Sequence, residues 1–271
     1  MKLATYQDGS RDGQLVVVSR DLTQAHYATD IATRLQQLLD DWNFLSPQLE
    51  DLSTTLNQGK ARHAFPFDPA MCMAPLPRAA ARLLAPPEGP LRRVASDALM
   101  GAREAWFGAA APLQAVPGLV AITGDIDTGA DAGQALDGLR LLALGQDWQQ
   151  DGESLSAGFS PVAVTPDELG EAWRGGRLSV PLLWRRNGQA LGALDLGAAL
   201  PQGLGERLAE AVRRRPLRAG SLLMLAAQPA DLGGLAEAEG LAPGDGLSLV
   251  AAEPLGEEAF GRLDNAVGQL A

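Results

Sequence analysis

Past Cys72 this chain contains no lysine, tyrosine, histidine or cysteine, so any acid, base or nucleophile there must be Asp, Glu, Ser or Thr. That excludes Schiff-base lysines, thiolate nucleophiles and histidine-ligated zinc from the larger part of the protein, because each needs a side chain that is absent. The residues carrying those types all sit early: Lys2, Tyr6, His26, Tyr27, Lys60, His63 and Cys72. His26 and His63 are the only imidazoles, hence the default neutral-pH bases. Asp30 follows His26 by four residues, one turn if the segment were helical, a spacing that orients the ring or merely makes a surface pair. His63 has no carboxylate so placed. A surface or packing role is the simpler reading of both, and Cys72, between Met71 and Met73, reads as a small buried hydrophobe.

Three further patterns invite chemistry and have plainer accounts. In Asp125-Ile126-Asp127-Thr128-Gly129-Ala130-Asp131 the alternating carboxylates suggest a calcium loop, but the twelfth position, which needs a bidentate Glu, is Leu136. A strand-ending turn explains it better. Gly203-Leu204-Gly205 suggests a dinucleotide loop, yet Leu208 stands where the third glycine belongs, so a helix start is the better reading. Arg213-Arg214-Arg215 falls in the last turn of a helix, where cations offset the carbonyl dipole.

The elements that must position these residues follow from periodicity. Leu3–Tyr6 and Leu15–Val18 are short strands joined by a turn-rich Asp8–Gly13. Ile31, Leu35, Leu38, Leu39 and Trp42 follow helical spacing. A second short helix opens at Ser46 with Pro47 in its first position and ends at Asn57-Gln58-Gly59. From His63 to Pro90 proline is frequent, and a domain boundary is placed near residue 75. The alanine-rich segment 78–112 is the hardest to read; one helix is expected around Val94–Phe107. Leu119–Thr123 is a buried strand. Thr165-Pro166-Asp167-Glu168 is a helix-start signature in which Thr165 caps. Leu178–Trp184 and Gln189–Leu194 form a hairpin across Asn187-Gly188. A helix spans Leu204–Arg214 and stops at Pro216, and Leu222–Leu225 and Leu247–Val250 are strands. The fold class is α+β: a small α+β amino-terminal domain over 1–75, then a β-rich domain with short helices over 76–271.

Composition sets the outer limits. With 46% hydrophobic and 20% charged residues, the 271-residue chain is ordinary for a soluble globular protein. A net charge of -11 argues against nonspecific nucleic-acid binding, which needs cations for phosphates. One cysteine makes no internal disulfide, so the cytoplasm is the expected compartment. Neither a signal peptide nor an apolar run near the roughly 18 residues of a membrane span is read, so no membrane association is expected.

Two stretches resemble the bacterial fumarylacetoacetate hydrolase family, in its aromatic-degradation branch. One runs from MKLATYQDGSRDGQLVVV at the start to FDPAMCMAPLPRA, ending at Ala79; the other is FSPVAVTPDELGEAWRGGRL from Phe159 to Leu178. Looser matches cover Ala121–Asp125, Leu141–Asp147 and Leu217–Ser221, and the likeness fades beyond about residue 220. The resemblance implies a fumarylacetoacetate-hydrolase-like β-rich domain, a homodimer or a heterodimer with a paralogue, and metal-dependent cleavage of a carbon–carbon bond in 1,3-dioxo acids. Such chemistry uses Mg²⁺ or Ca²⁺ to chelate the dioxo unit and stabilise the enolate. The family's ion is held by an early Asp, two Glu in a Glu-x-Glu strand and a later Asp. Carried over, the aspartates fall on Asp97 and Asp147, while the glutamate positions fall on Val116 and Gly118. A Gln-Ser-Lys-Pro substrate loop expected before Phe159 is absent, and Met224-Leu225-Ala226-Ala227 stands in place of a Gly-Ser-Gly-Thr loop. The resemblance therefore implies the family fold with its hydrolase chemistry lost or nearly lost, leaving Asp97 and Asp147 for a weakly held ion. An active enzyme would have to recruit other carboxylates, such as Glu104 or Glu153. A non-catalytic chain would serve as a structural or regulatory partner of an intact paralogue.

Overall fold

A computed structural model describes residues 1–86, 88–107, 113–194, 203–226 and 240–268. Its main feature is a twelve-stranded sheet. Along its principal path run β4 (Phe65–Pro66), β3 (Gln24–Tyr27), β2 (Gln14–Val18), β1 (Lys2–Tyr6), β12 (Ala163–Val164), β10 (Leu139–Gln150), β9 (Leu113–Thr123), β17 (Ser221–Ala226), β5 (Ala81–Ala85) and β6 (Arg92–Val94). Off that path, β11 (Glu153–Phe159) pairs with β10, and β7 (Leu99–Met100) pairs with β11. A five-stranded sheet has the order β16 (Gln189–Leu194), β15 (Leu182–Arg186), β18 (Gly246–Ala251), β19 (Leu263–Val267), β8 (Ala105–Trp106). A two-stranded ribbon joins β13 (Trp173–Arg174) to β14 (Arg177–Leu178).

The period-two alternation of β9 and β10 builds two cores, one on each face. Leu142, Leu144 and Trp148 face the five-stranded sheet and pack with Leu182, Trp184, Leu249 and Leu263. Leu141 and Ala143 face the other way, into a cluster with Val120, Ile122, Leu15, Val17 and the helical residues Leu35, Leu38 and Leu49. Asp147 continues the parity of Leu141 and Ala143, so a carboxylate is directed toward an apolar layer. The segments on either side of residue 75 share the large sheet, because Lys2 and Leu3 of β1 pair with Val164 and Ala163 of β12.

Local expectations fare unevenly. The Asn187-Gly188 hairpin forms with both residues at positive φ, as its turn chemistry requires. The helical stripe divides into α1 (Leu35–Asp40) and α2 (Trp42–Asn57), and Pro47 lies inside α2 rather than at its start. One missing donor near the helix beginning is outweighed there by burial of Leu45, Leu49 and Leu56. No helix forms over Val94–Phe107: the segment makes β7 and β8, each two residues long, and both pair in parallel with distant strands. Pro166–Ala172 is a 3-10 turn, and the Thr165 hydroxyl bonds to the Met1 carbonyl (3.3 Å) instead of capping it. A third helix, α3 (Ala132–Asp137), is capped by Asp131, which explains the last carboxylate of the Asp125–Asp131 run. The helix after Gly203, α4, spans Leu204–Ala211. Ala227 lies outside the described residues. Among the described residues, no helix is long and apolar enough to cross a membrane.

Candidate functional site

Asp147 is completely buried, at 0% exposure, in the middle of the large sheet. Its Cα partners are Val116 on β9 and Ala157 on β11. A lone carboxylate in such a place needs a cation and donors to offset its lost hydration. Arg82, only 3% exposed on β5, supplies the cation through an Nη2 bond to Asp147 Oδ1. The Ser154 hydroxyl donates to the same oxygen at 2.6 Å, and Gln149 Nε2 donates to Oδ2, also at 2.6 Å. Both carboxylate oxygens are therefore engaged.

The guanidinium is spread over several elements. Nη2 also donates to Ser154 Oγ (2.7 Å) and to the Ser156 carbonyl (3.0 Å), and Nη1 donates to the Ala95 carbonyl (3.0 Å). The planar fork of arginine suits this divergent set. Burial pushes the Arg82 pKa down to about 10, which leaves the group cationic at neutral pH. Beside this network lies a surface depression of about 470 Å³, lined by Arg92, Arg93, Val94, Ala95 and residues 151–154. Ala95 and Ser154 thus connect the buried pair to solvent.

The positions singled out as metal ligands can now be placed. Asp97 is exposed in the turn between β6 and β7. Its neighbour Ala98 is tied to β11, the carbonyl accepting from Ser156 Oγ (2.7 Å) and Ala157 N (3.3 Å). Val116 sits opposite Asp147, and Gly118 is two residues farther along β9, paired with Gly145. The backbone thus keeps positions 116, 118 and 147 together on adjacent strands, while two of the three side chains offer no oxygen. At Gly118 there is also no room for one, since a Cβ would collide with the Leu225 carbonyl of β17. Glu153 is an exposed lining residue of the depression, and Glu104 is half-buried. Among the described residues, no group of three or more His, Cys, Asp or Glu side chains is placed to hold a metal. A hard divalent ion requires several oxygens at short range. The residues around Asp147 do not fit that demand as they stand, because both of its carboxylate oxygens are engaged by Arg82, Ser154 and Gln149 and the residues paired with it, Val116 and Ala157, bring no second carboxylate.

Arg82 is the site residue that sequence reading passed over. Its one signal is a charged residue within the apolar run Ala81-Arg82-Leu83-Leu84-Ala85, a strand pattern that places an arginine in a core. His26 lies on a strand, so the one-turn relation to Asp30 does not arise; its Nδ1 and Nε2 each lie 2.7 Å from a main-chain carbonyl, of Tyr27 and Arg62. His63 takes a positive φ in a turn. Cys72 is buried, and burial pushes its thiol pKa up. A separate groove of about 660 Å³ between the helices and Pro75–Arg78 includes Leu35, Phe44 and Leu45, and shares no lining residue with the Asp147 network.

Comparison with known proteins agrees with this geometry at the level of fold. Residues 1–78 match the family described as Fumarylacetoacetase N-terminal domain 2. Maleylpyruvate hydrolase from Sphingobium sp. SYK-6 superimposes with a TM-score of 0.77 at 16% identity, covering 100% of both chains. A probable 2-hydroxyhepta-2,4-diene-1,7-dioate isomerase from Mycobacterium abscessus gives 0.75 at 15% identity, and fumarylacetoacetate hydrolase from Exiguobacterium antarcticum gives 0.70 at 17%, each again over 100% of both chains. The Sphingobium hydrolase has also been solved in complex with manganese (II) ion and pyruvate, with a TM-score of 0.75 at 17% identity over 99% of this chain and 100% of that one. No curated protein matches the chain.

Proposed function

We propose that this chain, whose amino-terminal domain belongs to the fumarylacetoacetase family and whose full length has the fold of the hydrolases and isomerases above, has lost their metal-dependent chemistry. The ancestral activity in this reading is hydrolysis of a carbon–carbon bond in a 1,3-dioxo acid of aromatic catabolism, of the maleylpyruvate or fumarylpyruvate type. The carrying observation is the side-chain content of positions 116, 118 and 147: valine, a glycine closed against a carbonyl, and an aspartate already neutralised by arginine.

The chemistry that an ion supplies in such a reaction is Lewis-acid stabilisation of the developing enolate. Nothing around Asp147 substitutes for that. Arg82 has its bonds directed to protein oxygens, and Ser154 donates its proton to Asp147, so neither is presented to a substrate. Misplacing a catalytic group by a single ångström is already costly in rate, and here two ligands are missing altogether. What is retained is a well-packed framework, suited to a structural or regulatory role beside an intact relative.

The test is direct. Purified protein is mixed with Mn²⁺ or Mg²⁺ and with maleylpyruvate or fumarylpyruvate, and loss of the enol absorbance is followed. The expected rate equals that of metal and substrate alone. Turnover above that background, abolished by Asp147→Ala, would overturn the reading.

A further inference from the structure

We infer that Arg82 is a tethered replacement for a bound cation: its guanidinium holds together an oxygen-lined site that would accept a free cation if the side chain were removed. This rests on the reading above that positions 116, 118 and 147 correspond to an ancestral ion site. The oxygens facing the guanidinium are of the kinds a hard ion takes: the Asp147 carboxylate, the Ser154 hydroxyl, and the Ser156 and Ala95 carbonyls. They come from β10, β11 and the turn after β6, while the cation itself arrives from β5. One positive charge from the chain therefore joins segments that have no other ionic link at this place among the described residues.

The alternative is an ordinary buried salt bridge whose oxygens have no affinity for anything but arginine. Two features favour the tethered-cation account. Four oxygens from three segments gather on the guanidinium, and only one belongs to a carboxylate; the hydroxyl and the two carbonyls are neutral oxygens of the kind that also coordinate hard ions. The backbone also retains the juxtaposition of positions 116 and 147 after the side chain at 116 has ceased to be a ligand. With a cation built in, the fold needs no metal, and an added metal has no place to enter.

The experiment compares thermal unfolding of the wild type, Arg82→Ala, and the double variant Arg82→Ala with Asp147→Asn. Each is measured in EDTA, in millimolar Ca²⁺ or Mn²⁺, and in about 10 mM methylguanidinium, with tetramethylammonium as the ionic-strength control. The wild-type midpoint should be the same in all conditions. Arg82→Ala should melt roughly 10 °C lower and recover at least half of the loss with methylguanidinium or a divalent ion, but not with tetramethylammonium. The double variant should melt above Arg82→Ala and show no recovery. If Arg82→Ala does not fold in EDTA, it is refolded with each cation present: folding with methylguanidinium or a divalent ion but not with tetramethylammonium is the expected result, and failure to fold with any of them overturns the inference. The inference fails if Arg82→Ala folds but no cation restores it, if the double variant responds as the single one does, or if the wild type is itself stabilised by Mn²⁺ through Asp147. Hydrolysis by the wild type would sink the functional reading while leaving rescue of Arg82→Ala to be read independently.

Discussion

Val116 lies directly across from Asp147 on the antiparallel strands β9 and β10. An aliphatic side chain thus stands opposite a carboxylate that is fully buried in the large sheet. Asp147 takes its partners instead from Arg82, Ser154 and Gln149.

Adding a carboxylate opposite Asp147 should harm the protein. Val116→Glu places a second anion beside Asp147, where the single guanidinium is already shared among four oxygens. A loss of roughly 3 kcal/mol or more is expected in urea unfolding. A variant as stable as the wild type would show that this face has unsuspected room or charge.

Removing the existing carboxylate leaves Arg82 buried without its counter-ion. Asp147→Ala is expected to cost about 3–5 kcal/mol, the usual consequence of breaking one half of a buried pair. Chemical denaturation measures it, and a change below about 1 kcal/mol would mean that solvent reaches the guanidinium freely.

Gly118 and Gly145 are paired and differ in what a methyl group would meet. At Gly118 it is the Leu225 carbonyl, part of a strand backbone; at Gly145 it is a Val120 side-chain methyl. Gly118→Ala should therefore be the more damaging, by about 1–3 kcal/mol, because a backbone moves less easily than a rotamer. Equal effects in thermal melts would contradict the register of β9 against β17.

Asp245 provides a pH signature apart from the candidate site. A bond from Arg186 (2.6 Å) is the main cause holding its pKa down at about 2, with the Ala242 amide and the Asn187 side chain adding to it. A depressed folded-state value means that the stabilisation is complete above the ordinary aspartate pKa near 4. It is lost as pH falls from there through about 2. The stability difference between wild type and Asp245→Asn should accordingly be about 2 kcal/mol at neutral pH and shrink across that window. A difference independent of pH would show that the carboxylate charge is not what matters.

The Cys72 thiol, buried and with its pKa raised, should resist Ellman's reagent in the folded protein and react stoichiometrically in denaturant. Prompt reaction without denaturant would mean that the Asp68–Cys72 turn opens readily.

The parts of this protein legible from the chain are those governed by near neighbours. Asn187-Gly188 specifies a hairpin because two consecutive positive φ angles suit almost no other dipeptide. The apolar runs Leu15–Val18 and Leu119–Thr123 specify buried strands because their composition leaves few alternatives. That Val116 and Gly118 carry no carboxylate was also visible, since it concerns residue identity alone. By contrast, the segment 92–107 carries no local strand pattern; β7 and β8 exist only because β11 and β19 provide distant parallel partners.

Residue types and spacing by themselves determined the α+β class, the absence of carboxylates at positions 116 and 118 and the confinement of Lys, Tyr, His and Cys to the start of the chain. Only the tertiary structure decided what became of Asp147. Its partner Arg82 lies 65 residues away, on a strand three places distant in the path of the sheet, and no rule of sequence spacing links the two. Charge burial is a property of the assembled core: a carboxylate buried from water must find a cation, and the fold determines which one is near enough.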